Sequence, residues 1–223
     1  MKTDFFWKNI VRWVAFLTIV FVFGIILFKK NVGAITTLQT QKEFYYLTST
    51  STHIEASTYN AQYLGGAGFT LEYKDRAYVA YAVYTDLTMA ERAFQALKEQ
   101  DEDVCILKVQ AKQAKIPLDN TTAYKNAFHC LYAQIRLFNA EITRLEDGAT
   151  QESAKRFLNI QQRQFAYMKK EYEQSFPQFS AVCRNAVEQI ERMKKQTVYA
   201  KDMRYLECFL CDSYIRLGDN VGA

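Results

Sequence analysis

Cys208 and Cys211, separated by two residues, have the spacing of a thiolate metal pair. Cys130 and Cys183 lie in the same half of the chain, and with them that pair could build an all-thiolate zinc site. Two other readings compete: disulfides, which would leave at least one of the five cysteines unpaired, and buried thiols acting as small apolar residues. The last is preferred, because one such pair on an expected helix is a weak metal signal, so no metal site is assigned. The two histidines, His53 and His129, stand in different parts of the chain and form no nucleophile–base–acid set with a Ser or Cys. Gly65-Gly66-Ala67-Gly68 lacks the Lys-Ser/Thr of a phosphate-cradling loop and closes a helix instead of opening one, which also excludes a dinucleotide fingerprint. These residues predict no catalytic centre and no cofactor. The chain reads as a non-enzyme.

The elements that would hold a binding function fall into segments of different character. Apolar content of 49% with only 2 Pro among 223 residues indicates folded material. Charge is uneven. Residues 1–42 carry 6 Lys/Arg against 1 Asp/Glu, residues 43–111 carry 5 against 10, and residues 112–223 carry 17 against 13. An acidic middle segment repels phosphate backbones, which disfavours nucleic acid as its partner; an RNA-binding module, which shares the strand order and uses aromatic sheet faces, is set aside on that charge and on the membrane-length segment.

Between Val11 and Phe28 lies an apolar run interrupted by Arg12, Thr18 and Gly24. Its length of about 18 residues, or roughly 27 Å as a helix, suffices to span a bilayer. Trp7 and Trp13 suit one interface, and Lys29-Lys30 closes the other end. Val32-Gly33-Ala34 resembles a signal-peptide cleavage site, but the two lysines before it and the length of the run argue for an uncleaved anchor. Lysines and arginines are balanced across the span. The short amino-terminal tail makes a cytoplasmic amino terminus the default, with the remaining domains outside the cytoplasm in a single-pass cell-membrane protein.

Residues 43–111 contain one small unit twice. Thr52-His53-Ile54-Glu55 and Thr88-Met89-Ala90-Glu91 both read T-x-x-E, the pattern of a capping box. Each follows a β-rich run and precedes a short helix with small apolar positions. Lys74-Asp75-Arg76 predicts a hairpin between "FTLEY" and "AYVAYAV". The order is β-α-β-β-α-β, in which two helices cover one face of a four-stranded antiparallel sheet and leave the other free. Strand alternation places Tyr78, Ala80, Ala82 and Tyr84 on one side and Val79, Tyr81 and Val83 on the other. Both sides are apolar enough to be buried. A tyrosine-rich free face would serve as a platform for sugar rings, unless these are ordinary half-buried strand residues.

This unit, with "YYLTSTS", "LGGAGFTLEY" and "YVAYAVYTDLTMAERAFQALKE", resembles the SPOR (sporulation-related repeat) domain over roughly Phe44 to Val109. The resemblance implies binding of peptidoglycan glycan strands lacking stem peptides, in proteins often attached to bacterial membranes by one amino-terminal span. Where the family often carries a Gln and then a Gly in its first strand, this chain has Leu47 and Ser49. Ala82 stands at the family's third-strand Gly. On that resemblance the glycan-contacting candidates are Tyr45, Ser49 and Tyr78.

From about residue 112 the period changes. Tyr124, Phe128, Leu131, Ile135, Phe138, Ile142 and Leu145 form an apolar seam on one long helix ended by Gly148. Further helices are expected over about 151–175, after Pro177, and from Tyr199 to Gly218. They predict a compact helical bundle, with a coiled-coil dimer, and so a homo-oligomer, as the alternative. Lys155-Arg156, Lys169-Lys170 and Lys194-Lys195 read as solvated faces.

The expected architecture is thus α+β: tail and transmembrane helix at 1–30, linker at 31–42, SPOR-like module at 43–111 and helical bundle at 112–223. The expected role is non-catalytic docking at peptidoglycan, or within a division or sporulation assembly. A divergent fold serving as a protein-binding scaffold, with cell-envelope proteins as partners and no glycan binding, is the alternative.

Overall fold

The computed structural model describes residues 35–40, 42–101 and 103–220. The apolar run at 11–28 lies outside the described residues. Among the described residues no helix is long and apolar enough to cross a membrane. The expected architecture is therefore corrected: the described chain is an α+β assembly of six α-helices and two antiparallel sheets, with no spanning helix among them.

The elements are β1 (Ile35–Leu38), β2 (Glu43–Ser49), α1 (Ile54–Tyr63), β3 (Phe69–Tyr73), β4 (Arg76–Tyr84), α2 (Leu87–Lys98), β5 (Val104–Gln110), β6 (Ala114–Pro117), α3 (Thr121–Glu146), α4 (Gln151–Glu171), α5 (Pro177–Lys194) and α6 (Ala200–Asn220). The main sheet has the order β3-β4-β2-β5, with every neighbour antiparallel. β1 pairs with β6 in a separate ribbon, Ile35 opposite Pro117 and Leu38 opposite Ala114. The ribbon clasps together the segments that enter and leave the main sheet.

The β3–β4 hairpin turns at Lys74 and Asp75, both at positive φ (49° and 61°). A two-residue turn of that hand matches the twist of the strands it joins. Neither T-x-x-E sequence forms a capping box. α1 starts at His53 with no side-chain cap, and α2 is capped by Asp86, whose carboxylate accepts the Met89 N–H at 3.0 Å. Thr88 lies inside the first turn, where its hydroxyl is past the cap position.

Leu47 pairs with Ala82 but Thr48 pairs with Ala80, so β4 carries one extra residue, Tyr81. Such a bulge reverses the in–out order beyond it. The expected alternation is corrected accordingly: Ala80 and Val83 both enter the core shared with the helical half, while Val79 and Tyr81 pack under α1 and α2.

The second face of the sheet is not free. α1 and α2 cover Leu47, Val79, Tyr81 and Val104 on one side. On the other, Phe44, Tyr46, Phe69, Leu71, Ala80, Val83 and Val109 belong to one continuous core with α3–α6. Phe44 meets Tyr214 edge-on at 5.5 Å between ring centres, and Phe69 meets Tyr205 at 5.4 Å. Such contacts add about 0.5–1.5 kcal/mol each beyond area burial. The expected tyrosine platform is closed by the protein's own α6.

In the helical half the apolar seams bury one another within one chain. Tyr124, Phe128, Leu131, Ile135, Phe138 and Ile142 are all buried on α3. Gly148 (φ 90°) turns the chain after α3, and Pro177 opens α5 at the position where its missing N–H costs nothing. Tyr124 stacks on Phe176 at 4.1 Å, fixing α3 against the start of α5. Gln151 donates to the Val198 carbonyl and accepts its N–H, both at 2.8 Å, which ties the α5–α6 connection to α4.

Tyr46 is fully buried, and its hydroxyl has no hydrogen-bond partner among the described residues. Desolvation pushes that phenol well above its usual range. Removing an unsatisfied buried hydroxyl relieves its desolvation penalty. Tyr46→Phe is expected to raise stability by about 1–2 kcal/mol, read as a higher urea midpoint at unchanged slope. A lower midpoint would mean the hydroxyl has a partner.

Candidate binding clefts

Tyr45, Ser49 and Tyr78 do not converge. The Tyr45 hydroxyl donates to the Glu43 carboxylate at 2.6 Å, and Lys108 pairs with the same carboxylate at 2.8 Å while lying 5.9 Å from the tyrosine ring. That hydrogen bond to Glu43 raises the Tyr45 phenol above its ordinary value. Ser49 is buried, shares a hydrogen bond with Ser57 of α1 at 3.2 Å and accepts the Ser51 N–H at 3.1 Å. Tyr78 is half-buried opposite Leu71 of β3, on the face turned toward the helical half. Two of the three residues are thus committed to internal bonds, and the third stands on the other side of the sheet.

Two clefts remain as candidates. The first, of about 360 Å³, opens between the sheet and α2. Leu47, Leu64, Ala93 and Leu97 give it apolar walls, and Tyr84 and Arg204 close one end. Arg204 donates to the Gly65 carbonyl at 2.6 Å and pairs with Glu146, so one guanidinium bridges the end of α1, the end of α3 and α6. α1 ends close against β4 here: a Cβ on Gly66 would lie 2.9 Å from the Tyr81 Cα. Burial pushes the Tyr84 phenol up to about 12, against the opposing pull of Arg204. Beside Arg204 lies Glu207, only 2% exposed, whose Oε1 has no partner among the described residues. Burial raises its carboxyl to about 8, so it is held largely protonated at neutral pH.

The second cleft, of about 590 Å³, lies between the β1–β2 connection and α3. Lys125, His129, Tyr132 and Arg136 follow at helical steps of four, three and four, so they line one stripe of α3. Lys42 reaches across from the β1–β2 connection, its Nζ 4.6 Å above the centre of the Tyr132 ring. Tyr132 in turn leans on Phe44 and Tyr214, at 6.4 and 6.1 Å. Among the described residues no Asp or Glu lines this cleft. Among the described residues, Lys42, Lys125 and Arg136 take part in no ion pair. The Thr40 hydroxyl is already committed, donating to the Lys112 carbonyl at 2.5 Å. The residues present can attract and orient an anion; they do not assemble a nucleophile with a base.

Sequence reasoning passed over this stripe. Its signal was present in the spacing of Lys125, His129, Tyr132 and Arg136, but the apolar seam of the same helix dominates the pattern. The contribution of Lys42 needs the tertiary fold.

Cys183, Cys208 and Cys211 lie in the core, while Cys105 and Cys130 are half-buried. Cys208 and Cys211 are fully buried on α6, and desolvation pushes both thiols well above their ordinary range; burial likewise raises Cys183 to about 12. Among the described residues no group of three or more His, Cys, Asp or Glu is placed to hold a metal ion.

Comparison with family models, with curated proteins and with solved structures finds no match.

Proposed function

We propose that this chain is a non-catalytic binding scaffold of a cell-envelope assembly, built on a divergent SPOR-like unit that does not dock glycan through its sheet. The observation that carries the reading is the burial of both sheet faces, one under α1 and α2 and the other under α6 and its neighbours. Exposing the second face would uncover Phe44, Phe69, Leu71 and Val83 together. At about 1.5–3 kcal/mol for each large apolar side chain, that loss exceeds what a few sugar contacts return. The envelope setting rests on the resemblance over Phe44 to Val109.

The test is pelleting of the full chain, in mild detergent, with purified peptidoglycan sacculi before and after amidase treatment. The expected result is an equal, low pelleted fraction for both preparations, unchanged by Tyr78→Ala. Amidase-enhanced pelleting that is lost in Tyr78→Ala would overturn this reading in favour of glycan docking.

A further inference from the structure

We propose that the free edge of β5 pairs antiparallel with β5 of a second copy of this chain, joining two main sheets into one across a two-fold axis centred on Leu107. The proposal goes beyond the scaffold reading, since it uses neither face of the sheet.

The directions of the backbone groups follow from two bonds. Ala111 donates its N–H to the Lys42 carbonyl at 2.9 Å, and Thr50 donates to the Asp103 carbonyl at 2.8 Å. Between them the β2–β5 register runs without a shift, from Glu43 opposite Gln110 to Ser49 opposite Val104. Bonded residues alternate in an antiparallel pair, so Cys105, Leu107 and Val109 bond to β2. Val104, Ile106, Lys108 and Gln110 turn their N–H and C=O groups the other way. β5 is the last strand of its sheet, so among the described residues no strand takes these groups up.

Proteins blunt such an edge with a Pro, a bulge, a short strand or an outward charge. β5 has seven residues, no Pro and no shift in register. Its one charge, Lys108, is drawn back toward β2 by Glu43 at 2.8 Å. Ile106 packs toward α1 and α2 and Leu107 toward the helical half, and both are only half-buried. Apolar packing on each side of the sheet therefore stops short at this edge. The opposite edge, β3, is a strand of five residues.

The edge is complementary to itself. With Leu107 opposite its symmetry mate, Val104 meets Gln110, Ile106 meets Lys108, and every outward N–H and C=O finds a partner. No like charges face each other. An axis on Lys108 would oppose two ammonium groups and leave Val104 unpaired, and an axis on Ile106 would leave Gln110 unpaired. Asp101-Glu102-Asp103 precede the strand and Lys112 and Lys115 follow it, so antiparallel pairing brings acidic end to basic end. A foreign extended peptide would use the same backbone groups without needing this register.

The test is sedimentation equilibrium of the full chain in mild detergent. A dimer is expected, and Lys108→Pro should weaken it at least about tenfold, because proline removes an outward N–H and leaves the bonds to β2 in place. Thr70→Pro, at an exposed position of β3, should leave the dimer unchanged. Oxidation with copper–phenanthroline in air reads the register. Facing residues of an unbonded pair stand about 4.5 Å apart, within reach of a disulfide, so Leu107→Cys should link two chains. Gln110→Cys should link no more than the parent chain. Circular dichroism of each variant establishes that the fold is retained. A monomeric chain, a dimer indifferent to Lys108→Pro, or equal linking of Leu107→Cys and Gln110→Cys would overturn the proposal.

Discussion

Glu207→Gln should raise stability at pH 7 by about 3 kcal/mol and remove most of the fall in stability between about pH 4.5 and pH 8. Burial lifts this carboxyl from 4.5 to about 8, with Asn139 and Arg204 opposing the shift and Glu146 adding to it. The sign follows from proton counts. Between those two values the folded protein keeps the proton while the unfolded chain releases it, so stability declines as pH rises. The contribution is intact below about 4.5 and has been lost by about 8, where the folded state also deprotonates. Glutamine has the same shape without a charge to desolvate. Urea unfolding of both proteins at pH 5 and pH 8 decides the matter: a slope that persists in the variant would assign the pH dependence to another group.

Phe44→Ala is expected to cost about 3–5 kcal/mol, the range for truncating a fully buried phenylalanine. Phe44 has no exposed surface, stands opposite Val109 on β5 and meets both Tyr132 and Tyr214. It therefore belongs equally to the sheet and to the helices. The loss should appear at the same denaturant concentration in far-ultraviolet circular dichroism, dominated by the helices, and in the near-ultraviolet signal of the tyrosines. Two separate transitions would mean that sheet and helical half unfold independently, contrary to their common core.

The helical half was the more legible part of the sequence. The steps of four and three from Tyr124 to Ile142 are buried as a stripe, and Gly148 and Pro177 sit at the breaks. The two-sided burial of the sheet was legible only in part. "YVAYAVY" in β4 is nearly continuous in apolar residues, the pattern of a strand covered on both faces. Alternation cannot say what covers it. The extra residue at Tyr81 also has no signature in composition, yet it reverses the faces of Ala82 to Tyr84. The glycan candidates were chosen by resemblance, and Ser49 and Tyr45 turned out to be held by Ser57 and Glu43 because hydroxyls on a strand bond to whatever lies nearest. The basic stripe was missed for the opposite reason. Its residues are spaced regularly, but a solvated helix face and one wall of a cleft look alike until Lys42 is seen across from it.

The β1–β6 ribbon also determines how the molecule would carry mechanical load. Ile35 lies beside Pro117, and at the other end of the ribbon Thr40 bonds to the Lys112 carbonyl. A Cβ on Gly218 would lie 3.3 Å from the Lys112 carbonyl oxygen and 3.6 Å from the Thr40 hydroxyl, and Asp219 pairs with Lys112. Tension applied between residue 35 and the end of α6 therefore has a short route, through the strand pair and the Thr40–Lys112–Asp219 contacts. The main sheet and the helical core lie off that route. Under a pull the clasp would yield as a discrete extension while the folded body, and the cleft beside it on α3, stayed together.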